Sequence, residues 1–145
     1  MSSETHLKVL FRLNVVDGWP PVAVEGMWTT PVGEHRYKID NIPFHARGVS
    51  DQDVVVAGPG DEPGLWFREI VGPSEFSTIR IAVTNKDDKE PARALFKSMG
   101  CDSEGLQTSM FALSIPRASL DEAMIAIKDG EATGRWNWEE GVIRA

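Results

Sequence analysis

The stretch STIRIAVTNKDDKEPARALFKSMG, residues 77–100, decides the fold because its hydrophobic period changes halfway along. Its first seven residues alternate, and Ile79, Ile81 and Val83 share one face of a predicted strand. Residues 85–100 then take on the spacing of a helix. The chain therefore passes here from a β-rich part to a part that mixes strands with helices.

The predicted helix carries start and stop signals of its own. Pro91 suits its first turn, and Gly100 suits its C-terminal end. We expect Ala94, Leu95 and Met99 to lie on its buried face.

The C-terminal half continues the same alternation of elements. Residues 101–107 predict a loop or weak strand, and residues 110–116 predict a strand. Residues 119–122 match a capping box at the start of a second helix, and residues 134–143 predict a last strand. From Ser77 onward the order is β-α-β-β-α-β, which predicts a ferredoxin-like arrangement.

The N-terminal half reads as short strands separated by turn residues. Strands are predicted at 8–15, 21–28, 36–40, 53–58 and 65–72, with turns at 17–21, 29–35 and 58–64. This spacing predicts an antiparallel barrel-like half. The predicted class is α+β, with a barrel-like subdomain at 1–76 packed on a ferredoxin-like subdomain at 77–145.

The composition limits the partners of the chain. Its 145 residues include 15 Lys/Arg and 22 Asp/Glu, a net charge of −7 that is spread over both halves. Because no basic stripe is present to neutralise phosphates, nucleic-acid binding is disfavoured. No apolar run approaches the roughly 20 residues that span a bilayer. The N-terminus shows no secretory signal, so we predict a cytoplasmic protein without membrane association.

The sequence contains no complete catalytic or metal-binding set. Its three histidines lack metal-ligand spacing. Cys101 is the single cysteine, which excludes intrachain disulfides and cysteine-rich zinc sites. We therefore predict no catalytic residue, no metal and no cofactor, and we favour a protein that is not an enzyme.

An ordered series of motifs covers most of the chain. The motifs are KVLFRL (8–13), DGWPPVAVEGMW (17–28), YKIDNIPFHARGVSDQDVV (37–55) and LWFREIVGPSEFSTIRI (65–81). In this order they resemble an uncharacterised bacterial family, domain of unknown function 4265. The resemblance implies no reaction, ligand or catalytic residue. Family members commonly have an aromatic residue in place of His45 and a glycine in place of Gln52, which argues against a mechanism that requires His45.

Two polar groups are candidate ligand sites. Within residues 40–53, His45 and three charged neighbours are types that enzymes use, but aspartates also fix turns, and we expect Asp53 to do so. Farther along, Ser77, Thr78 and Arg80 could hold a carboxylate or phosphate, or Arg80 could simply face water from a strand. The candidate ligand-binding residues are Arg47, Asp51, Glu69, Ser77, Thr78 and Arg80.

The five tryptophans divide into two groups. Trp28 and Trp66 are expected in the core. Trp19, Trp136 and Trp138 are candidate protein-interface residues, with core packing as the alternative for the last two.

These observations favour a cytoplasmic, non-catalytic binding protein with a protein partner, such as an inhibitor or immunity-type protein for a basic partner. The alternative is a small-molecule-binding protein or small enzyme. It would hold a small anionic ligand, such as a carboxylate, at the junction of the two halves.

Overall fold

The computed structural model describes residues 6–105 and 108–145 of the chain. The chain divides into two compact units, Met1–Ser74 and Glu75–Ala145. The first unit contains a closed five-stranded barrel, and the second contains a four-stranded sheet with two α-helices. The predicted α+β class is therefore confirmed.

The barrel of the first unit is a meander whose strands follow chain order. Its strands are β1 (Leu7–Arg12), β2 (Val24–Gly33), β3 (Arg36–Ile39), β4 (Val54–Gly58) and β5 (Trp66–Gly72). Consecutive strands pair antiparallel, and the barrel closes where Leu10 of β1 pairs in parallel with Trp66 of β5. In a five-strand meander the first and last strands point the same way, so only a parallel pair can close the barrel.

Alternation along the strands builds the barrel core. Val9 and Phe11 point inward from β1 as predicted, whereas Lys8 before them and Arg12 after them are exposed. Phe11 stacks on Phe67 of β5 with 4.6 Å between ring centroids. The other buried apolar residues of this core are Met27, Ile39, Ala46, Val49, Val55 and Ala57.

The turn predicted at 29–35 is wrong in most of its length, because β2 continues to Gly33. Pro31 lies opposite Tyr37, and the register shifts between Pro31 and Gly33. Proline has no N–H to donate and is tolerated in a strand at such an irregularity. The chain reverses only at His35, whose φ of 59° is in the left-handed region.

The second unit alternates strands and helices around one sheet. Its elements are β6 (Phe76–Val83), a 3-10 turn (Lys86–Asp88), α1 (Lys89–Ser98), β7 (Asp102–Gly105), β8 (Met110–Pro116), a second 3-10 turn (Arg117–Ser119), α2 (Leu120–Ala132) and β9 (Trp136–Val142). The sheet order is β7-β8-β6-β9, and all neighbouring strands are antiparallel. The predicted weak strand at 101–107 forms as β7, and its last two positions lie outside the described residues.

The buried face of α1 differs from the predicted one. Ala92 and Phe96 are buried, and Met99 packs against the same core. These residues follow the i, i+4, i+7 spacing of one helix face. Ala94 and Leu95 lie outside that stripe and are exposed, so their predicted burial is wrong.

The capping box predicted at residues 119–122 does not form. Ser119 is the last residue of a 3-10 turn, and its side chain makes no cap hydrogen bond to α2. Its hydroxyl instead donates to the carbonyl oxygen of Met99 at 2.7 Å, so it ties the start of α2 to the end of α1. In the part of the chain that the structure describes, neither helix has the length and apolar character needed to cross a membrane.

Trp136 of β9 packs against α2. The side chain is only 3% exposed, and its indole N–H donates to the carbonyl oxygen of Ile127 at 2.9 Å. A Cβ added to Gly130 of α2 would lie 2.0 Å from the indole ring, so the glycine makes room for the tryptophan. Trp136 is therefore a core residue, and this burial corrects its prediction as an interface residue.

We expect Gly130→Ala to destabilise the protein by about 1–3 kcal/mol, because the added methyl group must displace the indole of Trp136. The sign is informative, since removing glycine from a helix interior ordinarily stabilises it by about 0.5–1 kcal/mol. Urea unfolding monitored by circular dichroism measures the difference. A more stable variant would contradict the tight packing.

Asp53 fixes the connection between β3 and β4, as predicted. Its carboxylate is fully buried and accepts from the backbone N–H of Ser50 at 2.9 Å and of Ser74 at 2.7 Å. These two donors belong to segments on either side of β4 and β5. One side chain therefore holds the loop after β3 and the end of the barrel together.

We expect Asp53→Ala to lower the free energy of unfolding by about 2–4 kcal/mol, because two backbone donors lose their acceptor. Chemical denaturation of the full chain measures the loss. The exposed Asp61 provides the control, since Asp61→Ala should stay within about 0.5 kcal/mol of the parent. Equal behaviour of the two variants would remove the role assigned to Asp53.

Candidate functional site

The segment between β1 and β2, residues 13–23, forms a hairpin tip. At its base the N–H of Leu13 donates to the carbonyl oxygen of Ala23 at 2.9 Å. Val16 and Trp19 exchange backbone hydrogen bonds in both directions, at 2.9 and 3.0 Å. The two residues between them are Asp17-Gly18, with φ of 54° and 76°, as a two-residue hairpin turn with φ > 0 at both positions requires. The tip is therefore an ordered turn.

The hairpin tip exposes a group of apolar side chains. Val15 is 44% exposed, Val16 59%, Trp19 44% and Val22 45%. A tryptophan with exposed aliphatic neighbours on one short segment is typical of interaction sites. Trp19, a candidate interface residue from the sequence, is thus exposed, and its role in an interface stays a prediction.

His45 supports Trp19 from the neighbouring loop. The two rings meet edge to face, with centroids 5.7 Å apart and planes at 86°. The backbone at His45 is held by Glu25 of β2, whose Oε1 accepts from the N–H groups of His45 at 2.9 Å and Ala46 at 2.8 Å, while Oε2 accepts from Phe44 at 2.7 Å. The ring of Trp19 therefore packs on a residue whose backbone is held in place.

His45 itself does not have the surroundings of a general base. Its Nδ1 is buried and has no hydrogen-bond partner among the described residues. A catalytic histidine is normally oriented by a hydrogen bond from one ring nitrogen to a carboxylate or carbonyl group. The side chain of His45 therefore acts here through its ring contact with Trp19.

The three candidate ligand residues of the first unit belong to two elements, with Arg47 and Asp51 in the β3–β4 connection and Glu69 in β5. Arg47 and Glu69 are exposed, and Asp51 is half-buried. Asp51 serves the β3–β4 connection, where its Oδ1 accepts from the N–H of Asn41 at 3.1 Å. Burial raises the pKa of its carboxyl group, while hydrogen bonds from Gln52 and Asn41 oppose that shift.

The three candidate ligand residues of the second unit are all buried in β6. The expectation that Arg80 faces water is wrong, since its side chain is 1% exposed and lies 3.7 Å from Glu139 of β9. A Cβ on Gly141 would come within 2.9 Å of the Arg80 guanidinium, so that glycine leaves space for it. The hydroxyl of Ser77 accepts from the N–H of Arg144 at 2.7 Å, which ties β6 to the chain end after β9.

Two other tryptophan predictions have opposite outcomes. Trp66 is 7% exposed, so its expected burial is confirmed, whereas Trp28 is 46% exposed and its expected burial is wrong. Trp28 lies outside the barrel beneath the ammonium group of Lys8, 5.0 Å from the ring centroid. Trp138 is half-buried and packs against the core of the second unit.

The described residues offer neither an activated thiol nor a cluster of metal ligands. Burial, followed by the charges of Asp102 and Glu122, raises the pKa of the Cys101 thiol to about 11. The thiolate, which is the nucleophilic form, is therefore scarce at neutral pH. Within residues 6–105 and 108–145, no group of three or more histidine, cysteine or acidic side chains is arranged to hold a metal ion.

A cavity that sequence reasoning missed lies beside the barrel closure. Arg12, Trp66 and Arg68 line it, and its volume is about 580 Å³. The guanidinium of Arg12 lies over the ring of Trp66, 4.4 Å from the centroid. Outward-facing arginines at strand positions are visible in the sequence, but only the parallel pairing of β1 with β5 brings these two together.

Comparisons with known proteins agree with the architecture. No curated protein matches the chain. A crystal structure described as that of a hypothetical protein from Neisseria gonorrhoeae aligns with a TM-score of 0.79 at 17% sequence identity, over 97% of this chain and 99% of the other. At that identity the likeness shows the fold alone.

The family comparison is specific. The model of a family described as a domain of unknown function, DUF4265, matches residues 25–138, which is well over half of the chain. The match runs from β2 to the start of β9, so it includes four of the five barrel strands and most of the second unit, while β1 lies outside it. The resemblance stated from the motifs is confirmed, and the chain belongs to the DUF4265 family.

Proposed function

We propose that this chain is a cytoplasmic, non-catalytic binding protein of a bacterium that binds a basic protein through its hairpin tip. The observation that carries the proposal is the exposed apolar group at the tip, with Trp19 at 44% exposure among exposed valines. Tryptophans surrounded by apolar contacts are frequent anchors in protein interfaces.

The anchor is ordered before any partner arrives. The tip is closed by backbone hydrogen bonds between Val16 and Trp19, and the ring of Trp19 rests on His45. Glu25 in turn fixes the backbone beneath His45. An anchor that is already ordered loses little conformational entropy on binding, which favours affinity.

Charge supports a basic partner. Residues 1–74 contain ten Asp/Glu and six Lys/Arg, a net charge of −4, and the whole chain has −7. A net negative charge accelerates encounter with a basic protein and disfavours acidic competitors. Within this proposal we favour an inhibitor or immunity-type role, because such a protein needs an ordered anchor and complementary charge but no catalytic group.

We also propose that the second unit has the ferredoxin-like arrangement predicted from the sequence. The element order β-α-β-β-α-β and the antiparallel sheet order β7-β8-β6-β9 support it. In this order β8 lies between β6 and β7, the two strands that α1 connects.

The alternative function, a small-molecule site or small enzyme at the junction of the halves, remains a prediction. Its residues divide between the units, with Arg47, Asp51 and Glu69 in the first. Ser77, Thr78 and Arg80 belong to the second, where Ser77 and Arg80 make the structural contacts described above. These contacts give the alternative no advantage over the hairpin tip.

Trp19→Ser is expected to abolish capture of a basic protein by the tagged full chain from lysate of its native cells. The captured protein is identified by mass spectrometry, purified and titrated against the chain by calorimetry. Loss of an interface tryptophan should weaken this binding by roughly thirtyfold or more. Added salt should weaken it further, because the charge attraction is screened.

Trp28→Ser is the matched control, since Trp28 is 46% exposed and belongs to the same unit but lies on β2 outside the tip. It should leave the affinity unchanged, and thermal unfolding should show both variants to be folded. The proposal fails if no protein is captured, if the captured protein is acidic, or if the two variants bind equally well.

A further inference from the structure

The cavity beside the barrel closure is built from two strand ends and one loop. Arg12 is the last residue of β1, and Trp66, Phe67 and Arg68 begin β5. The loop from Pro59 to Asp61 supplies the remaining wall, around a volume of about 580 Å³. Volumes of this order suit a small organic ligand.

Both arginines are held in place by neighbours. The guanidinium of Arg12 stacks on the indole of Trp66, and that indole is fixed by a hydrogen bond from its N–H to the carbonyl oxygen of Glu62 at 3.0 Å. The guanidinium of Arg68 donates a hydrogen bond to the carbonyl oxygen of Pro59. A stacked guanidinium keeps its in-plane N–H groups available, in the fork geometry that matches a planar carboxylate.

Neither arginine has an acidic partner within ion-pair distance among the described residues. This is notable in a chain with 22 acidic and 15 basic side chains, where carboxylates outnumber the cations. Two guanidinium groups that share one cavity without such a partner attract an anion.

The lining also indicates the charge and shape of that anion. Asp61 is the one acidic side chain among the lining residues, so two arginines and one aspartate give a net charge of about +1. This balance favours a monoanion over a phosphate dianion. The ring of Trp66 lies beside the arginines, which suits an apolar body attached to the anionic group.

We infer that this cavity binds the carboxylate of an organic molecule between Arg12 and Arg68, with its apolar body beside Trp66. The carboxylate belongs either to a free organic acid or to the C-terminus of a peptide. The inference does not depend on the hairpin tip, and Trp19→Ser should leave carboxylate binding unchanged.

The test is an NMR titration of the isotope-labelled full chain that follows the indole N–H signal of Trp66. Benzoate is the probe, and benzamide, which has the same shape without the charge, is its neutral match. Benzoate should shift the signal to saturation, and benzamide should not. Arg68→Gln should weaken benzoate binding roughly tenfold or more, because charge-assisted hydrogen bonds are lost.

Three further variants separate the site from general charge effects. Arg36→Gln removes an exposed arginine of β3 outside the cavity and should leave the affinity unchanged. Arg68→Lys keeps the charge without the fork and should show an intermediate loss. Arg12→Gln should act like Arg68→Gln. Arg12→Gln also removes the stacking on Trp66. If that variant does not fold, the result for Arg68→Gln decides the outcome.

Two further probes identify the source of the carboxylate. Tighter binding of an acetylated tripeptide with a free C-terminus than of benzoate supports a peptide, and the reverse order supports a free acid. The inference is overturned if benzoate does not saturate, if benzamide binds equally well, or if inorganic phosphate binds more tightly than either carboxylate. Equal weakening by Arg36→Gln and Arg68→Gln would overturn it as well.

Discussion

The first unit depends on the parallel pairing that closes its barrel, marked by the hydrogen bond from the N–H of Leu10 to the carbonyl oxygen of Leu65 at 2.8 Å. Without it, β1 and β5 would be two open edges with unpaired backbone groups. Closure places Arg12 beside Trp66, although the two are far apart in sequence, and so creates the arginine-lined cavity. It also fixes the strand from which the hairpin tip with Trp19 extends. Both proposed binding surfaces therefore follow from one constraint of topology.

Buried carboxylates hold the irregular loops between the barrel strands in place. Glu25 accepts three backbone N–H groups in the segment from Phe44 to Ala46, and Asp53 accepts two more, from Ser50 and Ser74. These loops cannot use a strand ladder, so their donors need side-chain acceptors. Within residues 40–53, the carboxylates of Asp51 and Asp53 thus serve as acceptors for backbone N–H groups.

Local patterns predicted most elements of this chain, and long-range contacts account for the misplaced Trp28 and Arg80 side chains and for the missed cavity. The alternation in β6 and the strand at 110–116 depend only on neighbours in sequence, and both form as predicted. Trp28 was misplaced because its strand turns that side outward, beside Lys8 of β1. The possibility that Arg80 faces water is wrong because β6 is buried on both of its faces. A strand with polar residues on one face gives no sign in the local sequence that this face is buried too. The arginine-lined cavity requires knowledge of which strands meet, and a single sequence does not give that.

The two departures from the family pattern become physically intelligible in the structure. Gln52 stands where relatives commonly have glycine, and its φ of 70° lies in the left-handed region that glycine enters without steric cost. His45 stands where they commonly have an aromatic residue, and its ring meets Trp19 edge to face as an aromatic ring would. The buried Nδ1 of His45 makes no hydrogen bond with the described residues. A phenyl ring at this position would therefore lose no hydrogen bond from that atom. A ring at this position contacts Trp19, the residue on which the proposed protein interface depends.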